Sequence, residues 1–251
     1  MTSQLTVKTL EKALLIVDLF LQETEPLSIG EIHRHLNMSK PTVSRLARVL
    51  ESFGYLVKQD NNKYWLGTKI LQLASVINEE LELATLAKPA IKKLRDATNE
   101  TVHLNVVENF ERLCIYCLQG KGYLRGHVTV GHRSPLHIGA SAKILLAFMS
   151  DSFINNYIDK FLRDNCGSAY IDELWTDINK SREMGYCVTV KERTQDSTGI
   201  GAPIRNASGA VIAAIAMTFP ATRDEAVVSD FIAKTIEAAK EISASLGYSG
   251  E

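Results

Sequence analysis

With 251 residues, of which 45% are hydrophobic and 23% charged, the chain has the composition of a globular protein and the length for one large or two ordinary domains, and a disordered chain is excluded. The formal net charge of −1 means that any cationic surface for a polyanion has to be local. The longest apolar stretch, Ala210 to Met217, falls far short of the ~20 residues that a membrane span requires.

Residues 7–22 predict a helix with Leu10, Leu14, Val17 and Leu21 packing one side and Ala13, Ile16 and Phe20 widening the stripe, a face broad enough for a core and a subunit contact. Asp18 interrupts its apolar run and Glu11 and Lys12 precede it, so it reads as a core helix rather than a secretory signal; the expected location is cytoplasmic, with no membrane partner. Next come Ser28 and Glu31 at capping-box spacing, opening a helix with Ile29, Ile32 and Leu36 on its apolar face, and a turn at Asn37 and Met38. A second short helix starts near Ser39 with Pro41 in its first turn and ends at Gly54. Val43, Leu46, Leu50 and Phe53 form its expected buried stripe, which leaves Pro41, Ser44, Arg45 and Arg48 on the outer side.

That outer surface is small, polar and cationic, as an element entering the major groove of DNA needs to be. Tyr55 to Lys58 and Lys63 to Leu66 predict two short strands around the turn Gln59 to Asn62, completing a winged helix-turn-helix. Between His33 and Lys63 six basic residues face two acidic ones, a local balance of +4 that suits docking on phosphate. The candidate DNA-binding residues are Ser39, Lys40, Thr42, Ser44, Arg45, Arg48 and Lys63, and the expected partner is a double-stranded operator.

A linker helix is expected from Thr68 through Ile77, and another from about Leu83 to Ala97, interrupted or entered near Pro89. Strand patterns follow at Thr101 to Val107 and Arg112 to Leu118, joined by Glu108 to Glu111, then at Arg125 to Val130, Tyr186 to Lys191, Ile200 to Ile204 and Ala210 to Phe219. Helices are expected at Ser141 to Met149, Ser152 to Leu162 and Leu174 to Met184. A last helix begins at a second capping box, Thr222 and Glu225, and runs to about Leu246 before Gly247. Paired strands, helices, then paired strands again predict an α+β domain with a largely antiparallel sheet.

Cys114 and Cys117 form a C-x-x-C pair, but strand alternation would send them to opposite faces, and no second close pair of ligands accompanies them; with Cys166 and Cys187 they read as buried thiols, with no metal or cofactor expected. His33 and His35 read as surface residues. The polar cluster Ser134 to Lys143 leads into an apolar helix. Gly139-x-Ser141 resembles a nucleophile elbow, yet Lys143 replaces its second glycine and no histidine follows His137, so a hydrolase is not expected. Two other readings stay open: Ala140, Ser141 and Ala142 as a helix N-terminus able to hold an anion, or simply as a helix start packed on the sheet.

Several segments together resemble the IclR-type family of bacterial transcriptional regulators: Lys40 to Leu46, Tyr64 to Gly67, Glu100 to Leu104, Pro135 to Lys143, Gly185-Tyr186, and Ala202 to Ile204 followed by Gly209. The resemblance implies a winged helix-turn-helix at 1–67, a linker helix at 68–82 and a GAF-like effector-binding domain at 83–251, assembled as a homodimer or homotetramer. Carried over position by position, the effector-binding candidates are Ala140, Ser141, Thr189, Glu192, Gly199, Ala216 and Thr218, with His137 hydrogen-bonding at the pocket mouth. Glu192 would accept from a hydroxylated ligand or pair with Lys191 or Arg193. Ser141-Ala142 stands for the usual serine-glycine, Asp196 and Gly199 for a usual glycine and cysteine, and Ala216 and Thr218 for frequent serines, so the pocket differs in polarity from that of glyoxylate-type members. The function implied is a DNA-binding regulator, not an enzyme, responding to a small metabolite such as a small carboxylate or an aromatic or sugar acid. The alternatives are an enzyme, or a protein-interaction module, with a DNA-tethering N-terminal domain.

Overall fold

The computed structural model describes residues 7–21, 23–74, 78–122 and 128–250, and the chain divides into two compact units, Met1–Glu79 and Glu80–Glu251. The first unit contains α1 (Lys8–Leu19), α2 (Ile29–Leu36), α3 (Lys40–Ser52), β1 (Leu56–Lys58), β2 (Tyr64–Leu66) and α4 (Lys69–Ala74). The capping box at α2 forms in full: the Glu31 amide donates to Ser28 Oγ at 3.3 Å and the Ser28 amide to Glu31 Oε2 at 2.7 Å. Asn37 then takes a left-handed conformation, φ 49°, which its side chain tolerates well, and Ser39 caps α3 by accepting the Thr42 amide. Strands β1 and β2 pair antiparallel, and Leu27 adds a bridge to Tyr64, so the hairpin is tied to the segment before α2. This is a winged helix-turn-helix.

Two packing expectations fail in this unit. Phe53 is 68% exposed, because α3 ends at Ser52 and the chain turns at Gly54 with φ 78°; the buried stripe is Val43, Leu46, Ala47 and Leu50. In α1 the packed side is Ile16 and Phe20 with Ala13 and Val17 beside them, whereas Leu10, Leu14 and Leu21 face out. Both stripes obey helical periodicity, and only the position of the neighbours decides which one is covered.

The second unit begins in α5 (Asn78–Thr98), which continues through Pro89 rather than breaking there. Of the predicted linker helix, α4 ends at Ala74 and positions 75–77 lie outside the described residues. A six-stranded sheet follows, in the order β5 (Arg133–Pro135), β4 (Glu111–Leu118), β3 (Thr101–Glu108), β8 (Val211–Pro220), β7 (Ser197–Arg205), β6 (Cys187–Val190), with every neighbouring pair antiparallel. The β3–β4 turn has positive φ at both Asn109 and Phe110, the two-residue geometry that matches strand twist. Strand β5 was not among the predicted ones. Of the predicted strand at Arg125 to Val130, positions 125–127 lie outside the described residues and 128–130 are not in a strand.

The sheet has two chemically different faces. Val102, Leu104, Ile200, Ala202, Ile204, Ile215 and Met217 turn to α5 and to α9 (Glu225–Ser245), forming the main core with Ile91, Phe231 and Ile242. The opposite face carries Thr101, His103, Asn105, Gly199, Gly201, Ala216 and Thr218, by alternation and cross-strand register. Against it lie α6 (Ala140–Ala147), buried along its whole length, and beyond it α8 (Ser168–Met184), with α7 (Asp151–Phe161) adding a satellite core around Tyr157. The α9 start is another correction: its N-cap is Asp224, and no Thr222–Glu225 capping box forms. The architecture is α+β, with a winged helix-turn-helix ahead of a GAF-like domain built on an antiparallel sheet.

Candidate functional site

In α3 the residues opposite the buried stripe form an open surface, with Lys40, Pro41, Arg45 and Arg48 exposed and Thr42 and Ser44 partly so. Ser39 and Thr42 hydroxyls lie 2.8 Å apart at the helix start. Among the described residues Arg45 and Arg48 form no salt bridge, and Arg48 makes a long 3.4 Å bond to the Ser44 carbonyl, so both exposed guanidinium groups remain available. Lys63 differs from the rest of the predicted set in having an acidic partner: its ammonium lies 3.8 Å from Glu31.

The seven predicted effector residues come together. Ala140, Ser141, Thr189, Glu192, Gly199, Ala216 and Thr218 all line one cavity, shared with His103, Gly139, Arg193, Ser197 and Met217. Its volume is about 20 Å³, room for about one water molecule. Glycines set this geometry: a Cβ on Gly201 would stand 2.8 Å from the Ala140 carbonyl oxygen, so the start of α6 can rest on β7 only because the side chain is missing. Gly139, at φ 88°, turns the chain into α6, and the stem of Arg193 lies against it. Beside the cavity, and sharing Thr189 and Glu192 with it, is a second one of about 440 Å³ against β6 and α8.

Glu192 pairs with neither Lys191 nor Arg193. It accepts the Gly139 amide at 2.6 Å and pairs with the Lys143 ammonium, which also donates to Asp177 Oδ2 at 2.6 Å. Burial works to lower the Lys143 pKa, but the bonds to Asp177 and Glu192 outweigh it and hold it above the usual lysine value. His137 bonds to the Tyr157 hydroxyl at 2.6 Å and stands edge-on to Tyr170, a structural role outside the cavity lining. Within the lining, His103 Nε2 lies 3.1 Å from Thr218 Oγ1 while Nδ1 meets Asn105; burial, reinforced by the charge of Arg112, pushes the His103 pKa down to about 3, so the ring is neutral.

The cysteine argument needs correction. Leu104 pairs with Tyr116 but Asn105 with Cys114, so Ile115 is an extra residue, a bulge in β4. Cys114 therefore stands opposite Asn105 and Cys117 opposite His103, which puts both thiols on the same face, not on opposite ones. Burial pushes their pKa values up to about 11 and about 12, keeping them as thiols, and among the described residues no group of three potential ligands could hold a metal ion.

Arg112 was missed altogether. It is only 1% exposed, on the same face, with Nη1 donating to Ser141 Oγ at 3.1 Å and Nη2 lying 3.1 Å from His132 Nδ1. A signal existed: a two-residue turn at Asn109-Phe110 sets Arg112 across from Val107, in phase with His103 and Asn105.

A family model described as the IclR helix-turn-helix domain matches residues 9–60, and one described as the bacterial transcriptional regulator IclR C-terminal matches residues 75–244. The chain belongs to the IclR family. The regulator KipR of Bacillus subtilis is 30% identical over 245 residues, 96% of this chain and 98% of KipR. The crystal structure of the Thermotoga maritima IclR superposes with a TM-score of 0.77 at 25% identity, covering 97% of this chain and all 100% of that one. An IclR homologue from Microbacterium hydrocarbonoxydans, crystallised with 4-hydroxybenzoate, has the same fold, with a TM-score of 0.80 at 23% identity over 95% of this chain and 98% of that one. The IclR-type chain is thus a transcriptional regulator with a DNA-binding helix-turn-helix and a C-terminal effector domain. Among its described residues no helix is long and apolar enough to cross a membrane.

Proposed function

We propose that this regulator reads an operator half-site with α3 and that a small metabolite in the α6–sheet cavity changes its affinity for that operator. The observation that carries the proposal is the α3 surface, where Arg45 and Arg48 stand exposed beside Lys40, Thr42 and Ser44 and, among the described residues, form no salt bridge with a carboxylate. Short polar side chains let the helix approach the groove floor, and two guanidinium groups can then reach guanine edges or phosphates. Ser39 and the start of α3 would meet the backbone, where helix N-terminal amides favour phosphate. A homodimer or homotetramer would place such helices on repeated half-sites, and a cytoplasmic location follows from the target.

For the second unit, the convergence of all seven candidates on one cavity supports an effector site, and the 4-hydroxybenzoate complex of the Microbacterium homologue offers a small organic acid as a precedent for the fold. The metabolite acts by binding one arrangement of the regulator better than another; the ratio of its two affinities sets the size of the response. The test is a gel-shift titration on DNA flanking the protein's own gene at several salt concentrations. A specific complex whose affinity falls steeply with salt is expected; equal retention of unrelated DNA would remove the operator reading.

A further inference from the structure

A further cavity, of about 760 Å³, lies in the second unit along the outer edge of β7 and shares no residue with the one at the start of α6. It exists because β6 is shorter than its neighbour. Strand β6 pairs with β7 only from Val190↔Thr198 to Cys187↔Gly201, while β7 continues to Arg205, so Ala202 to Arg205 have β8 on one side and no strand on the other. The end of α8, at Met184 and Gly185, and the last turns of α9 close round the gap. Past Gly247 the tail folds back, with the Tyr248 amide donating to the Ser243 carbonyl at 3.0 Å, and Tyr248 forms a wall. The edge itself is closed to an added strand: Pro203 has no N–H, and the Arg205 N–H donates to Ser243 Oγ at 2.9 Å.

Ala202, Ile236 and Ala239 give this cavity an apolar lining, and its charged residues are of one sign, Arg205 from β7 and Lys240 from α9. No lining residue is acidic, and among the described residues neither cation forms a salt bridge. Neutral groups hold Arg205: Nη1 donates to the Gly209 carbonyl at 2.9 Å, and the guanidinium lies 4.7 Å from the Phe148 ring centroid and 6.0 Å from that of Tyr248. The helix ends work the other way, since α8 and α9 both present C-termini here, each equivalent to roughly half a negative charge. Two full cations outweigh them, which leaves a surplus of positive charge beside apolar walls. The volume is that of a small-molecule site, far above the room for about one water at the start of α6.

We propose that the cavity between β7, α9 and the end of α8 is a ligand site in its own right, which binds an amphipathic anion such as a medium-chain carboxylate. The apolar body lies against Ala202, Ile236 and Ala239, where leaving water supplies the affinity, and the acid group meets Arg205 and Lys240. A neutral analogue of the same length keeps the first contribution and loses the second. Neither α3 nor the start of α6 takes part, so the claim stands apart from the effector reading.

The experiment is a calorimetric titration of the full-length protein with octanoate, decanoate and naphthoate below their micelle concentrations, at fixed ionic strength, with octanamide as the neutral control. The expected result is saturable binding of at least one acid and about tenfold weaker binding of the amide. Ala244→Trp, which brings bulk into the cavity from an exposed position on α9, should abolish the binding, and Lys240→Glu should weaken it at least fivefold. Saturable binding of none of the three acids, octanamide as good as octanoate, or both variants binding like the parent would overturn the proposal. If Ala244→Trp does not fold, Lys240→Glu decides alone, since that side chain is exposed on the helix surface. Sedimentation of the parent and Ala244→Trp tests a second copy as the occupant: a smaller assembly in the variant would assign the cavity to a subunit contact and remove the ligand reading.

Discussion

Glu192 accepts the Gly139 backbone amide at 2.6 Å with one carboxylate oxygen and meets Lys143 with the other, so a residue from the β6–β7 loop closes the first turn of α6 from outside the helix. The Gly139 N-cap has no side chain to do this, and Glu192 takes over that function. Replacing it by Gln keeps the shape and removes the charge, leaving the buried Lys143 with Asp177 alone. Glu192→Gln is expected to destabilise the second unit by about 1–3 kcal/mol in urea titrations, and adding Lys143→Met should recover part of the loss, because the second change removes the buried cation left half-paired.

A pH dependence follows from His103. Its folded-state pKa is about 3 against an ordinary 6.5, so between those values the unfolded chain binds the proton and the folded one does not. Stability from this residue is therefore complete above pH 6.5 and declines as pH falls toward 3. Unfolding midpoints measured at pH 7 and pH 5 should differ in the parent and differ less in His103→Gln; equal slopes in both would show that the ring does not carry the effect.

On the α3 surface two cations should behave differently. Arg45→Ala removes an unpaired guanidinium from the face assigned to the groove, and roughly a tenfold or greater loss in operator affinity is expected, the scale of one good base contact. Lys63→Ala should change affinity by no more than about twofold, since its ammonium is shared with Glu31 at 3.8 Å and exposed pairs contribute little. Quantitative gel shifts at one fixed salt concentration compare the two directly.

Gly201→Ala tests the contact between α6 and the sheet. The added methyl would meet the Ala140 carbonyl oxygen at 2.8 Å, and because that neighbour is backbone rather than a flexible side chain, α6 has to lift from β7. Overpacking of this kind costs about 1–3 kcal/mol. The melting temperature should fall.

Much of this was legible in local signals. Ser28 with Glu31, Asn37, Ser39 with Pro41, and the strand pattern of Thr101 to Val107 each mark their own element through contacts within a few residues, and the elements form as read, the strand running one residue further to Glu108. What failed depended on distant neighbours. Leu10 and Leu14 have the same periodicity as Ile16 and Phe20, and no local rule says which stripe α2 and α3 will cover. The cavity residues were placed by family likeness rather than by physics. Arg112 was legible only through the two-residue turn at Asn109-Phe110, since an arginine at the start of a strand looks like any solvated charge until the hairpin register is fixed.

The bulge at Ile115 acts as a change of parity within one strand. Before it, the even-numbered residues Arg112 and Cys114 face the cavity side; after it, the odd-numbered Cys117 does, and Tyr116 and Leu118 go to the core. The turn at Asn109-Phe110 holds one end of β4 in place, so deleting Ile115 would make the ladder regular and leave Arg112, Cys114, Tyr116 and Cys117 each on its present face. Both halves of β4 thus present the same two surfaces, Arg112, Cys114 and Cys117 on the cavity side and Leu113, Tyr116 and Leu118 on the core, and the bulge lets one strand serve both although its apolar residues do not keep a single alternation.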